Sequence, residues 1–183
     1  KVIQQVVDVN DFLGLTNMSA YAPGKIHAPI VDAGDGHLYF PTYRGGKTGS
    51  AYKGDWLLKY NLQSGKNENL GIPVAMHTFP SMIFHAPSKT LYGLSAPDST
   101  VEGDAPGNFF AFNIQSGKTV FTCESKSKVS RSCFLDREGR AYWDSEGYIT
   151  SYDPRSGIVT NTGAKIPTAT DKPGNLRASS RVS

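Results

Sequence analysis

The chain has 183 residues, of which 38% are hydrophobic and 19% charged, and its formal charge at pH 7 is +3. The charge is mild and the Lys and Arg residues are spread along the chain, which argues against a dedicated nucleic-acid surface. No apolar run approaches the roughly 20 residues that span a bilayer. Abundant Gly, Pro, Tyr and Phe favour strands and tight turns, so we expect an all-β protein with a single domain over 1–183.

The first element in the chain is the segment KVIQQVVDV, which predicts an outer strand of a preceding blade within 1–10. The chain starts at Lys1 without a leader pattern, so we expect either that a leader has been removed or that the chain is a piece of a longer protein. An extracellular or periplasmic location is favoured.

Two phrases then recur three times along the chain. The first reads DGHLYF, SKTLYG and EGRAYW, starting at 35, 88 and 138, and each copy follows a short apolar run. The second reads KYNLQSGK, AFNIQSGK and SYDPRSGI, starting at 59, 111 and 151. Each unit predicts a hairpin with a two-residue turn, a third strand, a turn whose Gly has positive φ, and a fourth strand. Four antiparallel strands in about 40 to 50 residues form the blade of a β-propeller.

The repeat predicts complete blades at about 26–72, 79–123 and 129–163, and the first strand of a following blade at 174–183. The units differ between strands two and three, where the third unit is shorter and DSEGYI predicts a minimal hairpin. A propeller ring typically takes four to eight blades. We therefore expect a segment of a six- to eight-bladed ring, completed by more chain or by a partner chain, with a three-blade protein as the alternative.

These phrases resemble the superfamily of propellers that includes virginiamycin B lyase, gluconolactonase and quinoprotein-like repeats. The resemblance rests on acid-Gly, aliphatic-Tyr, then Tyr or Phe, Asn or Asp, two residues and Ser-Gly, and it covers nearly the whole chain. It implies blade architecture and leaves the activity open. The resemblance to lactonases implies acidic and Asn metal ligands in the central channel, and the sequence offers no full set of them.

The connections between strands two and three should share one end of the blades with the links between blades. Functional residues are expected there, because loops carry function on a rigid scaffold. The arrangement at this end resembles an anion or carboxylate site with an imidazole that can titrate near neutral pH. The candidates are two catalytic histidines, His27 and His77, and four substrate-binding residues, Tyr43, Arg44, Arg131 and Arg177.

The two cysteines are expected to be unpaired and largely buried. Cys123 falls on an outer strand and Cys133 on the inner strand of the next blade, about three strand spacings apart. A disulfide requires Cα atoms within about 7 Å, so the two thiols should not bond.

The sequence leaves more than one function open. The favoured hypothesis is a scaffold or binding module whose loop-rich end holds a small molecule or a protein. The alternative is an enzyme of the lyase or lactonase type, acting on a carboxylated or sugar-like substrate, with His27 as acid or base and Arg131 or Arg177 on the carboxylate. A quinoprotein-like cofactor site is a weaker third hypothesis. No metal ligand set is predicted, and the cofactor is unassigned.

Overall fold

The structure is a computed structural model that describes residues 23–25, 30–44, 53–97, 106–127 and 132–167. These residues form strands and turns without a helix. The strands are β1 (Pro23–Lys25), β2 (Val31–Asp32), β3 (His37–Pro41), β4 (Tyr43–Arg44), β5 (Leu57–Asn61), β6 (Asn67–Asn69), β7 (His77–His85), β8 (Thr90–Pro97), β9 (Asn108–Asn113), β10 (Lys118–Glu124), β11 (Cys133–Leu135), β12 (Ala141–Ser145), β13 (Tyr148–Asp153) and β14 (Ile158–Lys165). Within this part of the chain no helix is long and apolar enough to cross a membrane.

Twelve of the described strands form three four-stranded antiparallel sheets, which we call blades 1, 2 and 3. Blade 1 has the order β2-β3-β5-β6, blade 2 has β7-β8-β9-β10, and blade 3 has β11-β12-β13-β14. The remaining two strands, β1 and β4, pair with each other. The predicted all-β fold with three propeller-type blades is confirmed. The strands expected at 1–10 and 174–183 lie outside the described residues.

The repeated second phrase is the turn between the third and fourth strands of each blade. Its Asn or Asp side chain accepts backbone N–H bonds from within the turn, as from Gln63 and Ser64 onto Asn61 Oδ1 at 2.9 and 2.7 Å. The turn glycine has φ near +65° in each copy and donates its N–H to the carbonyl four residues earlier. Positive φ strains any residue with a Cβ, so the phrase repeats because each blade requires this geometry. The equivalent residues are Asn61, Asn113 and Asp153, with Gly65, Gly117 and Gly157.

The turns between the first two strands are longer than the predicted two residues. They span 33–36, 86–89 and 136–140. Side chains close them locally: Asp35 Oδ1 accepts the His37 N–H at 3.0 Å, and Asp136 Oδ1 accepts the Arg140 N–H at 3.0 Å. The acid therefore stabilises a wider turn than a two-residue hairpin loop. The minimal hairpin predicted in blade 3 does form, since Ser145 pairs with Tyr148 across a two-residue turn.

Blade 2 is packed between the other two blades. One of its faces joins Tyr39 and Leu57 of blade 1 in a core that includes Phe79 and Phe110. Its other face joins blade 3 in a second core, where Phe109 is fully buried. Side chains alternate between the two faces of a strand, so neighbouring residues such as Phe109 and Phe110 reach different cores. Two of the repeated tyrosines contact the neighbouring blade: Tyr39 stacks on Phe84 of blade 2, and the ring centroids of Tyr92 and Tyr152 of blade 3 are 6.2 Å apart.

Trp143 is the largest fully buried side chain in the contact between blades 2 and 3. Its ring stacks on Phe109 with centroids 4.3 Å apart and planes 8° apart. Its Nε1–H donates to the Ser125 carbonyl at 2.9 Å, which satisfies the polar atom of a residue that is otherwise apolar. This side chain therefore joins the two blades by packing and by a hydrogen bond.

Candidate functional site

The two ends of the blade stack carry different connections. At one end, the turn face, the two kinds of turn in a blade touch: Leu62 N donates to Gly36 O at 2.9 Å, and Ile114 N donates to Lys89 O at 2.9 Å. At the other end, the loop face, the entrance to β5 meets the entrance to β7, where Asp55 N donates to His77 O at 2.9 Å. The connections between strands two and three, which differ in length among the blades, leave from the loop face.

A buried hydroxyl residue occupies one equivalent position at the loop face in each blade, three residues after the repeated tyrosine. These residues are Thr42, Ser95 and Ser145, which are 1%, 0% and 8% exposed. The Thr42 hydroxyl accepts the Trp56 N–H at 3.1 Å and donates to Asp55 Oδ1 at 3.2 Å. The Ser95 hydroxyl donates to the Asn108 carbonyl at 3.2 Å. In blades 1 and 2 the hydroxyl therefore connects strands two and three where the chain leaves the sheet.

His77 lies at the start of β7, at the loop face of blade 2, and is buried. Its Nδ1 is 2.8 Å from Ser95 Oγ. In the tautomer that leaves the Ser95 hydroxyl proton to the Asn108 carbonyl, His77 Nδ1–H donates to Ser95 Oγ and Nε2 carries the lone pair. Burial lowers the pKa of His77, so the neutral imidazole is favoured near neutral pH.

A second buried ionisable group lies at the loop face of blade 3. Asp144 is 2% exposed, and its Oδ1 accepts the Ser127 hydroxyl at 2.8 Å. Burial raises the pKa of this carboxyl, and the Ser127 hydrogen bond opposes that rise. Nearby, Glu146 N donates to Lys126 O at 3.2 Å, so the end of blade 2 is attached to the short turn of blade 3.

Three of the six site residues predicted from the sequence lie among the described residues, and three lie outside them. His77 and Tyr43 are described with their side chains; Tyr43 is half-buried in β4, where it pairs with Lys25. Arg44 follows in β4 and its backbone alone is described. His27, Arg131 and Arg177 lie outside the described residues. In the described ranges no group of three or more His, Cys, Asp and Glu side chains is placed to hold a metal ion.

The sequence interpretation missed the buried polar residues of the loop face, chiefly Thr42, Asp55, Ser95 and Asp144. A signal for the hydroxyls was present, because Thr or Ser recurs three residues after the tyrosine of each blade. The pairing of Asp55 with Thr42 has no such signal, since the equivalent position in blades 2 and 3 is a glycine.

A groove of about 310 Å³ lies at the turn face of blade 1. Some of its polar side chains are paired within the blade: Lys59 Nζ donates to Glu68 Oε2 at 3.0 Å, and Asn61 Nδ2 donates to His37 Nε2 at 3.1 Å. His37 Nδ1 faces the Asp35 carboxylate at 3.3 Å. Asn67 Oδ1, which also lines the groove, is buried without a hydrogen-bond partner among the described residues. Its lining residues are His37, Lys59, Asn61, Ser64, Lys66, Asn67 and Glu68.

The expectation of unpaired cysteines is confirmed. Both are free; Cys133 is buried, and Cys123 is half-buried against the core shared by blades 2 and 3. Burial raises the pKa of Cys123 to about 11 and that of Cys133 to about 12, so both thiols stay protonated at neutral pH.

The described sheets place this chain in the class of β-propeller repeat proteins. No known protein family and no curated protein matches the chain. Among solved structures it is similar to a chain of a mitotic checkpoint complex, at 12% identity over 64% of this chain and 31% of that one, with a TM-score of 0.42. It is also similar to a gluconolactonase from Xanthomonas campestris, at 14% identity over 72% and 45% of the two chains, with a TM-score of 0.44. The chain spans less than half the length of either structure.

Proposed function

We propose that this chain is a binding module of the propeller type, which presents its loop face to a small molecule or protein that carries carboxylates. The observation that carries the proposal is that the buried polar groups at that face form hydrogen bonds with one another and with the strand ends. Thr42 and Ser95 hold the strand ends together, and His77 Nδ1 is hydrogen-bonded to Ser95 Oγ. The described face is thus a fixed frame from which connections of different length extend, an arrangement suited to recognition.

Further blades complete the ring in this proposal. The face of blade 2 that packs on blade 3 carries Tyr92 and Phe109, which are 1% and 0% exposed. The equivalent residues on the outward face of blade 3, Tyr142 and Ile149, are only half-buried. A fourth blade on this face would bury them as blade 3 buries their counterparts, whether it comes from more chain or from a partner chain.

A titration with citrate tests the binding proposal, because citrate supplies several carboxylates in a small molecule. Arg44 and Arg131 would hold the anion through bidentate hydrogen bonds. In amide nitrogen–proton spectra at low salt, we expect shift changes at loop-face residues such as Lys53–Trp56 and Ser125–Ser127. The double variant Arg44→Gln and Arg131→Gln should weaken binding at least about tenfold, the size of one lost charged hydrogen-bond pair.

The matched control removes two exposed arginines, Arg137 and Arg155, from the turn face. The variant Arg137→Gln and Arg155→Gln should bind citrate within about twofold of the parent, since it leaves the loop face unchanged. Equal weakening by both double variants would mean non-specific attraction to a cationic protein. Shift changes confined to the turn face would also contradict the proposal.

An enzymatic role is a second candidate, favoured by one observation. Burial favours the neutral imidazole of His77, which is the state that a general base needs. If the chain is a lactonase or lyase, His77→Gln should lower turnover at least about 100-fold, the usual contribution of a general base. The control His37→Gln lies at the turn face and should leave turnover unchanged. Lactone hydrolysis no faster than in buffer would exclude the lactonase form of this candidate.

A further inference from the structure

The outer strand of blade 3, β14, is unusual among the described strands because all eight of its residues are exposed. It lies at the end of the sheet order β11-β12-β13-β14, so one of its edges pairs with no described strand. Ile158 is 59% exposed and Val159 is 38% exposed. A long exposed edge strand offers its N–H and C=O groups to another strand.

The other two outer strands carry features that oppose such pairing. β6 has three residues with the charged Glu68 at its centre. β10 has charges at both ends, Lys118 and Glu124, and alternate residues such as Phe121 are partly covered by blade 3. Short length, charge and cover are the usual means by which proteins protect an edge. In β14 the single charged residue is Lys165, at the far end.

The regular pairing of β14 covers 158–161, opposite 150–153 of β13, and Thr162 follows with its hydroxyl donating to the Ile149 carbonyl at 2.8 Å. Beyond it, the register shifts between Tyr148 and Thr150 on the neighbouring strand. Gly163 N–H is taken by Asn161 Oδ1 at 2.8 Å, and Ala164 N–H by Thr162 Oγ1 at 3.2 Å. The local bonds and the bulge end the free edge at this point, so a docking strand would be about five residues long.

We propose that 158–162 pairs antiparallel with the same stretch of a second copy of this chain, about a twofold axis at Thr160. Such a contact is self-complementary and closes as a dimer. It places Thr160 opposite Thr160 and Ile158 opposite Thr162, so β-branched side chains face each other along one side. Every second residue of β14 turns its N–H and C=O away from β13, and those groups form the new ladder.

A second copy fits this edge better than a charged peptide does. The sequence IVTNT has no ionisable side chain, so two copies meet without repulsion and a charged partner gains no ion pair. Pairing also covers the apolar area of Ile158 and Val159, which a monomer leaves in water. The edge lies at the perimeter of the blade stack, so dimer formation is independent of the proposed binding at the loop face.

Sedimentation of the whole chain with charge-swapped variants tests the proposal. The wild-type chain should dimerise as its concentration rises. Thr160→Lys puts two lysines opposite each other on the axis and should weaken the dimer about tenfold or more, and Thr160→Glu should act alike. Mixed in equal amounts, the two variants should form a heterodimer at least as tight as the wild type, and 1 M NaCl should weaken it.

Thr122→Lys is the matched control, because Thr122 is an exposed threonine on β10, the outer strand of blade 2. This variant should dimerise like the wild type. Circular dichroism and melting temperature check that each variant is folded. Three results would overturn the proposal: a wild-type chain that stays monomeric at millimolar concentration, variants at Thr160 that dimerise like the wild type, or a mixture that recovers no dimer.

Discussion

Replacing Trp143 by Phe is the sharpest test of how blades 2 and 3 are joined. The indole is fully buried, and its Nε1–H satisfies the Ser125 carbonyl in a residue that is 1% exposed. Phe keeps an aromatic ring against Phe109 but leaves that carbonyl without its donor, which costs about 1–3 kcal/mol. The smaller ring also leaves a cavity that costs about 1 kcal/mol. We therefore expect the free energy of unfolding to fall by about 2–4 kcal/mol.

Urea unfolding followed by far-ultraviolet circular dichroism measures this loss. With a slope of about 2 kcal/mol per molar urea, the midpoint should fall by about 1–2 M. Trp56→Phe is the control, because Trp56 is only half-buried at the loop face and belongs to neither inter-blade core. Its expected loss is below about 1 kcal/mol. If Trp143→Phe lowers the free energy of unfolding by less than Trp56→Phe does, Trp143 does not join the two blades.

Three other predictions follow from single sites. Gly93→Ala should lower the free energy of unfolding by about 2–3 kcal/mol, since a Cβ there would collide with the Ser81 carbonyl and the Phe110 ring. Gly117→Ala meets nothing within 4 Å, so its positive φ should cost only about 1 kcal/mol; equal losses in urea would contradict this. The thiols of Cys123 and Cys133 should react with Ellman's reagent at pH 8 at least about 100-fold more slowly in the folded chain than in urea, and similar rates would be inconsistent with their burial. The lowered pKa of His77 means that the unfolded chain binds its proton first, so this contribution to stability is present above the ordinary pKa of 6.5 and is lost as pH falls below it. His77→Gln should flatten the pH dependence of the melting temperature between pH 7.5 and 5, and an unchanged slope would refute the assignment.

The blade repeat could be predicted because its determinants are local. Asn61 and Gly65 form a turn although they are only four positions apart, and the same residue types recur in the next blade at Asn113 and Gly117. The alternation of apolar residues likewise predicts which side chains of a strand share a face. Both features depend on residues that are close together in the chain, so they can be recognised from the sequence alone.

The candidate site could be predicted only in outline, because its contacts join distant residues. His77 was a candidate from the sequence, but its bond to Ser95, 18 residues later in the chain, depends on how β7 and β8 pair. The pairing of Thr42 with Asp55 spans a connection of variable length. The turn at 33–36 has four residues where two were predicted. Asp35 accepts the His37 N–H within this wider turn instead of occupying a two-residue hairpin.

Amide hydrogen exchange resolved by residue tests the central claim, which is a stack of three blades that supports the loop face. Blade 2 is covered on both sides, so the amides of β8 and β9 should exchange most slowly and open only with global unfolding. The exposed strand β14 should exchange fastest among the strands of blade 3, under dilute conditions where the chain is monomeric. Protection in β8 and β9 no greater than that in β14 would contradict the stacked arrangement.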